Sequence, residues 1–256
     1  MKKKQTSFNA LSVFAAVMLL FFLLNGCKQE RNILFNDTFE AYTVGELPGD
    51  PWLTSGAGTI FIDTSRAFSG KQSVHFISGE GYANRAFIEL EDHFPLPENN
   101  YYGAMKMFVE EASPDGVHWT MVQSSGKVVG EAFSAEVRYG GQHEKRLMAN
   151  YDTKGVKSDC WQHSTLKIPE KRWFDVQWQF DGEKNEMRFW LDGQLVADLT
   201  VKGKGEGCLD NDIEGQWLFP LMEKLSIGWV DYQKEGGTRR VWIDDVVLSK
   251  TKIQLD

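Results

Sequence analysis

Four residues in this chain have side chains that could together hold an anion and move a proton: His118, Gln123, Arg138 and Tyr232. An amide or a guanidinium can neutralise a carboxylate. An imidazole and a phenol can take up and return protons. His118 and Gln123 fall in Gly116-Val117-His118-Trp119-Thr120-Met121-Val122-Gln123-Ser124-Ser125-Gly126, an alternating, proline-free run that reads as a strand. On a regular strand His118, Thr120, Val122 and Ser124 share one side, and Trp119, Met121, Gln123 and Ser125 the other. His118 and Gln123 therefore meet in one cleft only across a bulge. The next run, Phe133 to Tyr139, sets Ser134, Glu136 and Arg138 on one side and Phe133, Ala135, Val137 and Tyr139 on the other. Trp119, Glu136 and Tyr139 are the expected substrate contacts beside the four. Hydrolysis by paired carboxylates is not indicated, because Glu136 has no acidic residue two positions away.

The elements that must hold these residues are strands. Ile33–Glu40, Thr59–Ser65, Gln72–Ser78, Arg85–Phe94 and Tyr101–Glu111 precede the central pair. Arg146–Tyr151, Cys160–Ile168, Trp173–Phe180, Glu186–Leu191, Gln194–Val201, Lys224–Gln233 and Arg239–Lys250 follow it. Asp192-Gly193 reads as a tight hairpin turn. No helical period is sustained for more than two turns. Short strands with regular turn signals predict an all-β, jelly-roll β-sandwich of the concanavalin A-like kind, spanning 33–250, with a tail over 251–256.

The chain has 256 residues, 42% of them hydrophobic and 13% aromatic, with nine tryptophans. That is enough for one large domain, and the rings suit both sheet packing and sugar stacking. Residues 1–26 read as a leader: Lys2, Lys3 and Lys4, then an apolar run from Leu11 to Leu24, too short for a span. Leu24-Asn25-Gly26-Cys27 resembles a bacterial lipoprotein signal, with Cys27 as the lipidated N-terminus and residues 27–32 as a tether. The expected location is the bacterial cell envelope, at the outer membrane or cell surface. Loss of the leader's three lysines takes the formal charge from −8 to −11. Such a charge argues against nucleic acid as a partner and disfavours polyanions. A monomer is expected. Export favours a disulfide between Cys160 and Cys208 over two free thiols; closing about 48 residues contributes on the order of 4 kcal/mol.

Acidic residues near both ends form a second candidate set. Asp37 and Glu40 lie in the first strand, and Asp244-Asp245 in the last, among Trp242, Ile243, Val246 and Val247. First and last strands are commonly neighbours in a jelly roll. Carboxylates among apolar residues need a partner or a cation. Oxygen ligands from Glu40, Ser69 and one of Asp244 or Asp245 suit a structural calcium ion.

Several segments together carry a family likeness: Phe39-Glu40, Ser69-Gly70, Gly116-Val117-His118-Trp119, Val137-Arg138-Tyr139-Gly140, Ser158-Asp159-Cys160-Trp161, Trp190-Leu191-Asp192-Gly193, Gly228-Trp229 with Tyr232, and Trp242-Ile243-Asp244-Asp245-Val246. Over 33–250 the chain resembles the cellulose-induced secreted proteins of cellulolytic fungi and their bacterial relatives. More distantly it is similar to glucuronan and alginate lyases. The resemblance implies a jelly roll, a bound calcium on an N-terminal glutamate, a turn serine and a C-terminal aspartate, and a polysaccharide cleft on the concave sheet. It implies either a lyase that cleaves uronate-containing glycan by β-elimination or a non-catalytic module that holds plant or algal polysaccharide at the cell surface. A cleft made positive by Arg138, Lys106 and Arg146 would favour the former.

Overall fold

The structure, a computed structural model, describes residues 32–154, 159–203, 207–209, 216–235 and 237–254. The leader and Cys27 lie outside the described residues. In chain order the strands are β1 (Ile33–Asp37), β2 (Trp52–Ser55), β3 (Thr59–Asp63), β4 (Ser73–Ser78), β5 (Ala86–Leu90), β6 (Asn100–Val109), β7 (Trp119–Val128), β8 (Ser134–Gln142) and β9 (Arg146–Lys154). They continue as β10 (Asp159–Lys167), β11 (Trp173–Asp181), β12 (Glu186–Leu191), β13 (Gln194–Leu195), β14 (Val201–Lys202), β15 (Gly207–Leu209), β16 (Pro220–Asp231) and β17 (Arg239–Ser249). Among the described residues the only helical pieces are three short 3-10 turns.

Two antiparallel sheets face each other, as in a jelly-roll sandwich. The first runs β13-β12-β11-β6-β17-β4-β3; the second runs β15-β10-β9-β8-β7-β16-β5-β2. Strand β11 shows how the sequence builds the core. Its alternation turns Phe174, Val176, Trp178 and Phe180 inward. From the second sheet come Val137, Tyr139, Leu225, Ile227 and Trp229. Trp119 stacks on Trp229 at 4.5 Å with planes 10° apart, and Tyr139 stacks on Phe180 at 5.8 Å. Each such ring pair contributes about 1 kcal/mol beyond the area it buries.

Several expectations about strands change. The first strand ends at Asp37, so Glu40 lies in the turn beyond it, and β7 begins at Trp119, just after His118. Trp52–Ser55 forms β2, a four-residue edge strand directly after the Gly-Asp-Pro break. The stretch 194–201 divides into β13, a 3-10 turn at Ala197–Leu199 and the start of β14. Strand β16 begins at Pro220, four residues before the alternation is visible.

Strand β17 explains why the two ends of the chain meet. Its first half pairs with β4 and its second half with β1, so those two strands lie end to end along one side of it. At the changeover the register with β6 shifts between Asp244 and Val247, and Asp245 takes a positive φ of 48°. At this bulge Asp244 is fully buried beneath the Phe68–Ser69 loop on the outer side of the sheet, and Asp245 is half-buried.

Candidate functional site

The register of the second sheet lays a row of polar residues across its outer face. Glu89, Ser226, Gln123, Arg138, Asn150 and Trp161 stand directly opposite one another across β5, β16, β7, β8, β9 and β10. A parallel row is Lys224, Ser125, Glu136, Asp152 and Asp159. All these residues point away from the core. Even so, Ser226, Gln123, Arg138 and Asn150 are each less than a tenth exposed, so the face is recessed.

His118 and Gln123 share this face, and a bulge brings them there. Between Thr120 and Val122 the register of β7 against β8 shifts by one, leaving Met121 without an opposite residue. Met121 and Val122 both enter the core, and the alternation resets. Thr120 and Gln123 are left on the same side, and the chain brings His118 to the same end. The opposite strand accommodates the crowding with Gly140, where a Cβ would stand 1.9 Å from the carbonyl oxygen of Trp119. The Gly140-Gly141 pair, which alone in the sequence suggests a loop, is the signal that could have pointed to this irregularity.

Tyr232 lies at the centre of the site. Its backbone N–H donates to the carbonyl of His118 at 2.9 Å, and the His118 N–H donates to Gln233 Oε1 at 2.8 Å, which locks the end of β16 to the start of β7. The Tyr232 hydroxyl accepts from Arg138 Nη1 at 2.8 Å and lies 3.2 Å from Thr120 Oγ1. Its ring stacks on His118 at 4.6 Å. Arg138 Nη2 donates to Glu136 at 3.1 Å and to Asp152 at 3.0 Å.

The electrostatics follow from burial and from these partners. Burial opposes the charge of Arg138, but Tyr232, Glu136, Asp152 and Asp159 outweigh it and hold the guanidinium proton more firmly than usual. Burial also raises the Tyr232 phenol, against the pull of Arg138, so it stays protonated. His118 is lowered to about 3 by burial first, then by Arg138 and His163, and is a neutral imidazole. Its Nε2 is buried without a hydrogen-bond partner. Asp152 is raised by burial and by the neighbouring Asp159 and Glu136, with Arg138 opposing.

A depression of about 400 Å³ opens at the His118 end of the face, lined by His118, Gln142, His143, Met148, Asn150, Asp159, Trp161, His163 and Gln233. Another, of about 300 Å³, lies at the opposite end by Glu91, Ser125, Glu136, Glu223 and Lys224. Tyr82 rises beside the site. It is 48% exposed, stacks on Tyr232 at 5.8 Å and has Arg85 Cζ 4.4 Å from its ring centre. Ser55 Oγ accepts from the Arg85 guanidinium at 2.9 and 3.1 Å. Sequence reasoning missed Tyr82, because it sits in a glycine-rich turn with no periodic pattern around it.

The structure thus gathers His118, Gln123, Arg138, Tyr232 and Glu136 on one face. It does not place Trp119 or Tyr139 there. Both are fully buried: Trp119 is packed on Trp229, and the Tyr139 hydroxyl donates to the Leu199 carbonyl at 3.0 Å. The reason is parity, since Met121 resets the alternation after Trp119 and Tyr139 alternates with Arg138. Nor is the face positive. Lys106 belongs to β6 in the other sheet, paired with Asp175, and Arg146 pairs with Glu144 at an exposed edge.

The acidic set at the chain ends meets around residues 68–72. Glu40 Oε1 accepts from the backbone N–H of Lys71 and Gln72, at 2.8 and 3.0 Å. Asp244 Oδ2 accepts from the N–H of Phe68 and Ser69, at 2.8 and 3.2 Å, and Ser69 Oγ donates to Asp245 at 2.7 Å. Among the described residues no three His, Cys, Asp or Glu side chains converge on one point. The donor set is all oxygen, which fits the hard-cation preference of calcium. At the edge of the second sheet Cys160, which is disulfide-bonded, stands opposite Cys208 in the register of β10 and β15.

The sequence matches a family model described as polysaccharide-lyase-like, the Cip1-like core domain, over residues 52–251. No curated protein sequence matches it. Among solved structures it is similar to the cellulose-induced protein Cip1, at 20% identity and a TM-score of 0.63 over 87% of this chain and 100% of that one. It is also similar to an endo-β-1,4-glucuronan lyase from the fungus Trichoderma reesei, at 14% identity and a TM-score of 0.55 over 86% and 96%. These likenesses show the same sandwich fold.

Proposed function

The chain belongs to the polysaccharide-lyase-like family of Cip1-like core domains, and from that premise we propose that it cleaves a uronate-containing polysaccharide by β-elimination on the outer face of the second sheet. The observation that carries this reading is the Tyr232 hydroxyl, held by Arg138 and Thr120 and stacked on a neutral histidine. The neutral imidazole of His118, which lines the depression, takes the proton from C5 of the sugar. The electron pair of that C–H bond forms the C4–C5 double bond as the C4–O bond breaks. The departing oxygen receives the phenolic proton of Tyr232. Gln123 donates to the sugar carboxyl, Arg138 fixes Tyr232, and Trp161 and Tyr82 offer rings for flanking sugars.

A second reading, a non-catalytic binding module, is favoured by one observation. An imidazole lowered to about 3 is a weak base. Both readings place the protein at the envelope, lipid-anchored through Cys27, with a Cys160–Cys208 disulfide consistent with export. Calcium is the proposed structural ion, held by Glu40, Ser69, Asp244 and Asp245 where the chain ends meet. The full-length protein is tested with glucuronan, alginate, pectate and xylan for the ultraviolet absorbance of the unsaturated product. A signal lost in Tyr232→Phe is the expected result. No signal on any polymer, with polymer still retained, leaves the binding module.

A further inference from the structure

The charge of the recessed face limits which uronate it can take; this inference rests on the β-elimination reading. Among the described residues, the acidic and lysine side chains lining the two depressions are Glu91, Glu136, Glu223 and Asp159 against one lysine, Lys224. Neither nearby cation is free. Lys224 Nζ lies 3.0 Å from Glu89 and 3.9 Å from Glu91. Arg138, only 4% exposed, spends its Nη2 on Glu136 and Asp152. Like charges held close together near a protein surface, where the effective dielectric is well below that of water, repel. A polymer with a free carboxylate on each sugar would meet that repulsion at successive positions along the Glu136–Asp152–Asp159 row. The formal charge of −8 on the whole chain adds to it at long range.

Elimination needs a carbonyl at the carbon next to the departing proton, but that carbonyl need not be charged. An ester acidifies the C5 proton more than a carboxylate does, because no negative charge is already present to resist a second. That relaxes the demand on His118, whose basicity is low. Gln123, neutral and directly opposite Arg138, can donate an amide N–H to an ester carbonyl oxygen. It does not carry the full charge that pairing with a carboxylate would favour.

We propose that this site selects uronate units whose carboxyls are esterified, in preference to a free polyuronate. The elimination then proceeds with the ester intact: the C5 proton goes to His118, the C4–O bond breaks, and Tyr232 supplies the proton to the departing oxygen.

The test uses the full-length protein with glucuronan, polygalacturonate and alginate, each as the free acid and as the methyl ester of the same preparation, measured by retention in affinity gels. At least one ester should be held tenfold or more tightly than its acid. Glu91→Gln and Glu223→Gln should each narrow that gap several-fold by improving retention of the acid. Acid forms held as tightly as, or more tightly than, their esters on every backbone overturn the selection and leave the lyase reading standing. An ester preference that neither variant narrows also overturns it, because the cleft charge is then not its cause. Retention of neither form on any backbone overturns the polysaccharide reading and this inference with it.

Discussion

The two outer faces of the sandwich are built by the same rule and end in opposite chemistry. On the first sheet the register aligns Phe61, His75, Trp242, Phe108 and Trp173 across β3, β4, β17, β6 and β11. His75 stacks on Trp242 at 3.9 Å, Phe108 meets Trp242 edge-on at 5.6 Å, and Arg66 lies 4.2 and 4.8 Å from the Phe108 and Trp242 ring centres. That row is closed by its own rings and by Arg66. The row on the second sheet carries an amide, a guanidinium and carboxylates, and it ends in depressions large enough for a sugar. In a sandwich with two available faces, the one that can do chemistry is the one whose polar groups are held by one another and still reach open space.

Removing Arg138 should break the contrast most strongly. Arg138→Ala frees Tyr232 and leaves Glu136 and Asp152 facing each other without their shared cation. A loss of about 3 kcal/mol in stability is expected, as for a broken buried pair, with product formation abolished. Denaturant melts and the product assay read both.

The two histidines give the faces pH windows that open together and close at different values, about 4 for His75 and about 3 for His118. His75 is lowered from 6.5 to about 4, by burial first and against Asp63. The folded protein therefore binds fewer protons than the unfolded chain between those values. Its contribution is complete above about 6.5 and drains away as pH falls toward 4, on the order of 3 kcal/mol. His75→Gln should flatten the stability profile in that window. His118→Gln should flatten the profile over a window that also opens at about 6.5 but extends further, to about 3, and should also abolish product formation, which His75→Gln should not. Stability profiles against pH and activity at neutral pH check this pair.

The proposed calcium site lies away from the second sheet's face, beside the first sheet's aromatic row, where Asp244 accepts from the Phe68 N–H and Phe68 meets Trp173, so calcium serves as a control for the polar face. If Glu40, Ser69, Asp244 and Asp245 hold the ion, calcium at about a hundredfold over its dissociation constant adds roughly 2.7 kcal/mol. A chelator should lower the melting temperature without changing which polymer is bound. Asp245→Asn should reduce the calcium shift. Tyr82→Ala is the smallest expected effect, about 1 kcal/mol or a several-fold rise in KM with kcat kept, because it removes one stacking ring at the edge of the site. Steady-state kinetics on the cleaved polymer measure it.

Much of this was legible in the sequence where periodicity was clean. Trp173–Phe180 alternates without interruption and lies where alternation puts it. Asp192-Gly193, with φ of 47° and 75°, makes the tight turn its residue types require. The site was only half legible, because bulges break the parity on which the reading depends. One extra residue at Met121 moves Gln123 to the face of His118, and the bulge at Asp245 decides which aspartate is buried under the Phe68–Ser69 loop. Trp119 and Tyr139 looked like sugar platforms because tryptophan and tyrosine serve equally as core residues and as surface rings. Only their stacking on Trp229 and Phe180 distinguishes the roles here. Tyr82 carried no pattern at all, and only the fold brings it to Tyr232.

The most direct measurement compares one ring from each face. Trp161 lines the depression on the second sheet, and Trp173 ends the closed row on the first. The full-length protein, Trp161→Ala and Trp173→Ala, all checked as folded by melting, are run through gels containing the polysaccharide that the unaltered protein retains. Retardation lost in Trp161→Ala and kept in Trp173→Ala is the predicted result. Retardation kept in Trp161→Ala and lost in Trp173→Ala would place polysaccharide on the aromatic face and contradict the account.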